Sequence, residues 1–359
     1  MAEFPTRPDE ITPAWVEEAL RASGALTRGK IAALTWQAIG TGQVGDSARF
    51  TITYASESDG PQTVAAKFTA ADATSRATAA MFGLYRKEVM FYGAAAPLLD
   101  VRVPQVFASH LSKDGEEFIL LFEDLGPARG GNQLDSCGIA DARHAIRQAA
   151  ATHAPSWGRT EIIEAEWHKP PPDIGVRIAA LYPQAQAVWR ERYAEALESQ
   201  YMQICELLAE CGAIWFERNQ PPQCLVHGDF RLDNMLFDIR GGAEPIAILD
   251  WQTVTAGNAM TDIGYFLGCG IGDGLRRGHE NELLDLYCED MTARGVPLTR
   301  DAIWDDYRIG ALHGLSTAVF SAAFVERTER GDANFLSMAR GACALALEHD
   351  SIGALKERA

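Results

Sequence analysis

Basic residues are scarce in this chain. Lys and Arg number 32 against 49 Asp and Glu, a formal net charge of −17 over 359 residues. A phosphate backbone demands basic patches, so the balance argues against a nucleic-acid partner. It is compatible with a neutral or cationic small substrate, although most surface acid serves solubility. Pairs of the form CxxC are absent. The seven cysteines (Cys137, Cys205, Cys211, Cys224, Cys269, Cys288, Cys343) are odd in number and widely spaced. That argues against a disulfide framework and for reduced thiols in the cytoplasm, buried as small apolar groups. Long apolar runs are also missing. The longest uncharged stretch, Ile309 to Val325, holds His313, Ser316, Thr317 and Ser321 and is too short to span a bilayer comfortably. It reads as a buried helix, and no membrane partner is expected. The opening MAEFPTRPDEITPAW lacks the basic-then-apolar order of a secretory leader. Internal repeats and low-complexity segments are lacking too.

What is present is an ordinary globular composition, 47% hydrophobic and 23% charged, long enough for two lobes. ITPAWVEEALRASG, from Ile11, reads as an amphipathic helix capped by Thr12 and ended at Gly24. Then comes GTGQVG, Gly40 to Gly45, with the spacing G-x-G-x-x-G. Dinucleotide folds place that spacing between strand and helix, kinases between two strands. Around Phe50 to Tyr54 the residues alternate polar and apolar, so a strand follows the glycines. TVAAKFTA, Thr63 to Ala70, is a third strand, with Val64, Ala66 and Phe68 on one face and Ala65 and Lys67 on the other. One long helix is expected from about Asp72 to Leu98, with Leu84, Glu88, Phe91 and Ala95 along one stripe. VRVPQVFASHLS and EEFILLFEDL complete five strands. The fold class is α+β: a five-stranded antiparallel sheet with one long helix (residues 1–125), then a mainly helical lobe (residues 126–359), divided at Gly126-Pro127.

One β-rich island interrupts the helical half: CLVHGDFRLDNMLFD followed by PIAILDWQ. Asp229 and Asn234 enter its hairpin and Asp250 leaves it. This is what phosphoryl transfer from ATP requires. One carboxylate, Asp229, accepts the proton of the attacking hydroxyl, and two oxygen donors, Asn234 and Asp250, hold Mg2+ against the phosphates. Any one of these residues alone would read as turn chemistry. In VAAKF, Lys67 is placed as the lysine that meets the α- and β-phosphates, and Glu88 on the helix stripe is its partner. FILLFEDLG, Phe118 to Gly126, leads into a connector whose Glu123 and Leu125 backbones are candidates to hold adenine.

HGDFRLDN with LDWQ, VAAKF, YRKEVMFY and LLFEDL resembles the aminoglycoside phosphotransferase and choline kinase superfamily. GTGQVGDS, KEVMFY and LLFEDL are most similar to its ecdysteroid-kinase-like branch. The resemblance covers roughly Leu34 to Gly270. It implies a protein-kinase-like bilobal fold, ATP and Mg2+ as cofactors, and phosphorylation of a small-molecule hydroxyl. It makes Asp229 the catalytic aspartate, Asn234 and Asp250 the metal ligands, Lys67 and Glu88 the clamp, and Asp262 a support of the catalytic loop. Gly40, Gly42, Gly45 and Ser47 form the phosphate-covering loop, and Arg231 either offsets γ-phosphate charge or serves a structural ion pair. Departures are Ser47 where protein kinases have Val, Asp-Trp-Gln for Asp-Phe-Gly, and no Ala-Pro-Glu segment. These argue against a protein substrate.

For the acceptor pocket the candidates are His153, Trp157, Trp167, His168, Trp189, Tyr307 and His313, and an aromatic wall suggests a fairly apolar, steroid-like or hydroxyacyl alcohol. Alternatives are a cationic aminoglycoside- or choline-type substrate, a catalytically inactive nucleotide-binding regulator, and a dinucleotide-dependent oxidoreductase with Glu57 or Asp59 on the ribose. The last needs a helix straight after the glycines, where SARFTITYA reads as strand. Monomer and homodimer both stay open.

Overall fold

The computed structural model describes residues 4–40, 44–217, 223–325 and 327–358. Thr12 opens the first helix, α1 (Pro13–Ala22), by accepting from the Trp15 N–H at 3.2 Å, with Pro13 in the first turn. Val16 and Leu20, one turn apart, bury against Phe50, Ile52, Val64, Phe68, Ile119 and Leu121. Those residues come from a five-stranded antiparallel sheet: β1 (Ile31–Ile39), β2 (Gly45–Tyr54), β3 (Thr63–Thr69), β4 (Val106–Leu111) and β5 (Phe118–Glu123). Its spatial order is β1-β2-β3-β5-β4. β2 begins directly at Gly45 and pairs with β1 from Ile39↔Ser47 to Leu34↔Ile52 and beyond, so strand and not helix follows the glycines. β5 is buried along its whole length. Ile119 and Leu121 face α1, while Phe118, Leu120 and Phe122 belong to a second core shared with the helical half.

The single long helix expected over residues 72–98 is corrected to three pieces. Asp72 caps α2 (Ala73–Phe82) through the Ser75 N–H. Gly83, at φ 63°, ends α2 in the left-handed region that glycine enters without a Cβ penalty. The chain restarts as α3 (Leu84–Met90), widens into a π turn at Phe91–Ala95, and closes with one 3-10 turn at Ala96–Leu98. The stripe survives the break: Glu88, Phe91 and Ala95 are buried and Leu84 is half-buried.

After β6 (Arg129–Gly130) come the helices α4 (Ile139–Ser156), α5 (Ile174–Tyr193) and α6 (Ser199–Glu210). The β-rich island then supplies β7 (Cys224–Val226), β8 (Met235–Asp238), β9 (Glu244–Ile248) and β10 (Thr255–Gly257). β8 pairs with β6 and β9, and β7 pairs with β10. Helices α7 (Met260–Tyr265), α8 (Asp273–Ala293), α9 (Arg300–Gly310), α10 (Leu312–Phe324) and α11 (Glu329–Glu348) follow. The uncharged run becomes α10, with Leu312, Leu315, Ala318, Val319 and Ala322 buried against α5, α6 and α11. All seven cysteines are free thiols, and six are buried. Among the described residues no helix is long and apolar enough to cross a membrane.

Candidate active site

Lys67 projects from β3 on the face away from Val64, Ala66 and Phe68, as the alternation requires. Its Nζ lies 2.9 and 2.7 Å from the two carboxylate oxygens of Glu88 on α3, and 2.8 Å from Oδ1 of Asp250 after β9. Three segments far apart in sequence therefore meet at one ammonium group. Burial works against the Lys67 charge, but Asp250 and Glu88 outweigh it and hold its pKa above the ordinary lysine range. Burial pushes the Glu88 carboxyl up to about 7, with the Lys67 ammonium pulling it back. The Glu88 side chain is 1% exposed, and charge that deep is tolerated when paired.

Gly45 and Ser47 lie over this cluster. Ser47 is directly opposite Lys67 across β2 and β3, so both side chains share a face. A Cβ on Gly45 would sit 3.2 Å from Lys67 Cε and 3.1 Å from the Phe68 carbonyl, which favours glycine there. Tyr85, one turn before Glu88 on α3, donates its hydroxyl to the Val44 carbonyl at 2.8 Å and accepts from the Ala70 N–H at 3.2 Å. Asp46 accepts from the Ala71 N–H at 2.8 Å. The C-terminal side of the glycine turn is thus fastened to β3 and α3. Gly40 has φ 75° and open space around it; Gly42 lies outside the described residues.

The second cluster is built on the loop after β7. Gly228 adopts φ 81°, and a Cβ there would meet the Thr253 carbonyl at 2.8 Å, so only glycine fits. The Thr253 hydroxyl donates to the His227 carbonyl at 2.8 Å. His227 Nε2 donates to the Leu249 carbonyl at 2.8 Å, while its Nδ1 accepts from the Asp229 N–H at 3.2 Å, which fixes the tautomer by its partners. The loop that carries Asp229 and the segment that carries Asp250 are therefore stitched together. Asp250 itself sits at φ 62°, a conformation aspartate tolerates better than most residues. Beside it the Trp251 ring stacks on Phe91 at 3.9 Å between centroids and lies 4.6 Å from His227, joining the π turn after α3 to the Asp229 loop.

Asp229 is gripped on both oxygens. Tyr265 Oη donates to Oδ1 at 2.8 Å and Asn234 Nδ2 to Oδ2 at 2.8 Å, with Arg231 Nε 3.0 and 3.1 Å from the two oxygens. Burial would raise its pKa, but Arg231, Tyr265, His227 and Asn234 hold it below the ordinary aspartate value, so the carboxylate is ionised at neutral pH. Asn234 Nδ2 also donates to the Asp229 carbonyl at 2.9 Å. With its amide nitrogen committed to two acceptors, its Oδ1 points away from Asp229. Leu249 N–H donates to the Asn234 carbonyl at 2.9 Å, which sets Asp250 at the next residue along. Arg231 also reaches Asp233 at 3.5 Å.

Behind the loop stands Asp262 on α7, 1% exposed. It accepts from the His227 and Gly228 N–H groups at 2.7 and 2.9 Å, and from His153 Nε2 at 3.2 Å. His153 Nδ1 in turn accepts from the Tyr287 hydroxyl at 2.9 Å.

Four of the seven acceptor candidates need correction. His153, His168, Trp189 and Tyr307 are buried, with roles in the interior: His153 braces Asp262, His168 donates to the Ile162 carbonyl, and Tyr307 donates to Glu280. Trp157 and Trp167 are half-buried against the shared core. His313 meets the Asp229 loop, its Nε2 donating to the Gly228 carbonyl at 2.7 Å. In the connector the Glu123 side chain is tied down as well as its backbone. The Glu123 carboxylate accepts from Arg102 at 2.6 Å and the Gln105 N–H at 2.9 Å, and it pairs with Arg240. The Glu123 N–H donates to the Gln105 carbonyl at 2.9 Å, and the Leu125 carbonyl accepts from the Arg240 N–H at 2.8 Å. Asp59 accepts from the Thr27 and Arg28 N–H groups at 3.0 and 2.8 Å.

Sequence reasoning missed Tyr85 and Tyr265. Each stands three positions from a residue it did single out, Glu88 and Asp262, and so shares its helix face. That spacing was the available signal.

A sheet whose third strand offers a paired lysine, set against a helical half with an Asp-bearing loop, is the kinase-like architecture. The chain belongs to the phosphotransferase enzyme family, whose model matches residues 56–295. It is similar over its fold to a Ralstonia eutropha protein described as an aminoglycoside phosphotransferase, with a TM-score of 0.53 at 19% identity, covering 92% of this chain and 98% of the other. The GDP complex of wild-type aminoglycoside 2'-phosphotransferase-IIIa superposes with a TM-score of 0.53 at 13% identity, over 92% and 98% of the two chains. In sequence the chain is 30% identical over 133 residues to acyl-CoA dehydrogenase family member 11 of Gallus gallus, and 36% identical over 83 residues to family member 10 of Mus musculus. Those matches take in 32% and 23% of this chain but span only 16% and 8% of the relatives.

Proposed function

We propose that this protein is a small-molecule kinase that uses ATP and Mg2+ to phosphorylate an alcohol. The observation that carries the reading is the convergence of Lys67, Glu88 and Asp250 at contacts of 2.7 to 2.9 Å, beside an Asp229 carboxylate held on both oxygens. Asn234 Oδ1 and the Asp250 carboxylate are the oxygen donors for the metal. Among the described residues no group of three His, Cys, Asp or Glu could hold an ion unaided. That suits magnesium, which takes one or two protein oxygens and completes its shell with phosphate and water. Magnesium-bound ATP supplies an activated phosphoryl group with part of its charge neutralised.

The chain's own residues do the rest. Asp229 is ionised and takes the proton of the acceptor hydroxyl. Lys67, steadied by Glu88, meets phosphate oxygens without reorganising. Ser47 and the backbone around Gly40, Gly42 and Gly45 cover the phosphates. At the connector, the Glu123 N–H and the Leu125 carbonyl bond within the protein, and we assign adenine to the Glu123 carbonyl and the Leu125 N–H. We take the lobes to divide between residues 125 and 126, and place the chain in the cytoplasm as a monomer or homodimer. Arg231, 3.5 Å or less from both Asp229 and Asp233, is poised to offset γ-phosphate charge.

For the acceptor we favour a hydroxyacyl compound, because the relatives that this chain matches in sequence carry the name acyl-CoA dehydrogenase. The likeness of GTGQVGDS, KEVMFY and LLFEDL to ecdysteroid-kinase-like proteins supports a steroid-like alcohol as the second class. Incubating the protein with ATP, magnesium and a metabolite extract is expected to raise the mass of one component class by about 80 Da, a phosphoryl group replacing a proton. Hydroxyacyl-CoA and sterol panels separate the two classes. ATP consumption that no extract or panel stimulates would favour the inactive regulator, and GTP in place of ATP tests the nucleotide.

Glu88→Gln is expected to lower turnover about tenfold through a misplaced lysine. The urea midpoint should move little, because glutamine still accepts one bond from Nζ and Asp250 still pairs with it. Steady-state kinetics beside urea titration checks this. Unchanged turnover would detach Glu88 from the clamp.

A further inference from the structure

We propose that Tyr265 is a positioning residue for phosphoryl transfer: its hydroxyl holds Oδ1 of Asp229 so that Oδ2 is the oxygen that receives the acceptor's proton. The inference rests on the kinase reading of the site. It starts from an asymmetry in what holds the carboxylate. Oδ2 is held by Asn234 Nδ2 at 2.8 Å, and Arg231 Nε stands between the two oxygens. Both partners belong to the working surface, Asn234 as a metal ligand and Arg231 as a neighbour of phosphate. Tyr265 does not. Its ring is fully buried in the core of α5, α6, α10 and α11. Its hydroxyl reaches Oδ1 of Asp229 at 2.8 Å and Met338 sulfur at 3.9 Å.

The ring is held from a second side. His313 meets it edge-on at 5.4 Å between centroids, and His313 Nε2 donates to the Gly228 carbonyl, one residue before Asp229. Tyr265 also shares α7 with Asp262, which accepts from the His227 and Gly228 N–H groups. One short helix therefore fixes the catalytic loop twice: Asp262 sets the backbone and Tyr265 sets the side chain. A carboxylate free to turn about χ2 would present either oxygen. A buried, neutral donor on one oxygen removes that freedom without adding charge to the site.

The test compares Tyr265→Phe with the wild type in the full-length chain, because phenylalanine keeps the ring and removes only the donor. With MgATP alone and water as acceptor, ADP release is expected to fall about 10- to 100-fold in kcat. The KM for ATP should stay within about twofold, because Tyr265 touches no group assigned to the nucleotide. Adding Asp229→Asn to Tyr265→Phe should cost no more than Asp229→Asn alone, since the tyrosine acts through that carboxylate. Crystal structures of wild type and Tyr265→Phe with MgADP give a readout that needs no acceptor: the Asp229 carboxylate is expected to rotate in the variant. An unrotated carboxylate, or a kcat equal to wild type while Asp229→Asn is impaired, overturns the role of Tyr265 and leaves the kinase reading standing. Full activity in Asp229→Asn itself overturns that reading instead.

Discussion

Asp229→Asn is expected to lower phosphoryl transfer by about 10²- to 10⁴-fold, the usual contribution of a general base, while the protein still binds MgATP. The base is lost because an amide cannot take up the hydroxyl proton at neutral pH. Binding persists because Lys67, Glu88 and Asp250 make their contacts independently of Asp229. The substitution is isosteric but not innocent. Tyr265 Oη, Asn234 Nδ2 and Arg231 Nε all donate to the Asp229 carboxylate. An asparagine offers one oxygen where two stood, so its own NH2 must face one of these donors. Arg231 keeps Asp233 as a counter-ion. Nucleotide affinity therefore has to be measured beside turnover, by calorimetry with MgADP. Lost turnover with intact binding supports the base. Near-normal turnover would falsify the assignment, and a joint loss of both would point to a disturbed loop.

The elements of the candidate site could be read from the chain because each has a local signature. Alternation fixes β2 and β3, so Lys67 had to oppose Val64, Ala66 and Phe68. Asp229, Asn234 and Asp250 are bracketed by apolar strands that pair as β8 and β9. What was not legible depends on contacts across many residues. Tyr265 reaches Asp229 over 36 positions, and its place on an apolar helix makes it look like filler. Glu123 meets Arg240 across 117 positions, and a glutamate ending a strand gives no hint of that ion pair. Four of the aromatic and histidine candidates, His153, His168, Trp189 and Tyr307, proved to be interior residues for the same reason in reverse. A residue type that suits a pocket suits a core equally well, and only packing separates them. The break at Gly83 was available locally, but a single glycine in a helical pattern is usually tolerated and was absorbed into the longer period.

Asp262→Asn is expected to cost about 3 kcal/mol of stability, the scale for a broken buried charge network with an orphaned donor, and to reduce turnover along with it. The carboxylate has three donors, with Gly228 N–H on Oδ1 and His227 N–H and His153 Nε2 on Oδ2. If the asparagine oxygen takes the Oδ2 position, its NH2 confronts the Gly228 N–H. If it takes the Oδ1 position, the NH2 confronts both other donors. Either way a buried N–H loses its partner, and relief comes by moving the loop that carries Asp229. The pH dependence separates charge from packing. Burial would raise the Asp262 pKa, but the hydrogen bonds from His153 and the Gly228 N–H hold it below the ordinary value of 3.8. A carboxyl depressed on folding contributes stability that is fully present above its unfolded value and is lost as pH falls through its folded one. The gap between wild type and Asp262→Asn in urea titrations should therefore be constant from about pH 7 to 5 and close as the pH drops below the unfolded value of the aspartate. A gap that stays the same into that acid range would mean that the ionised carboxylate is not what holds the catalytic loop, and that asparagine disrupts α7 by shape alone.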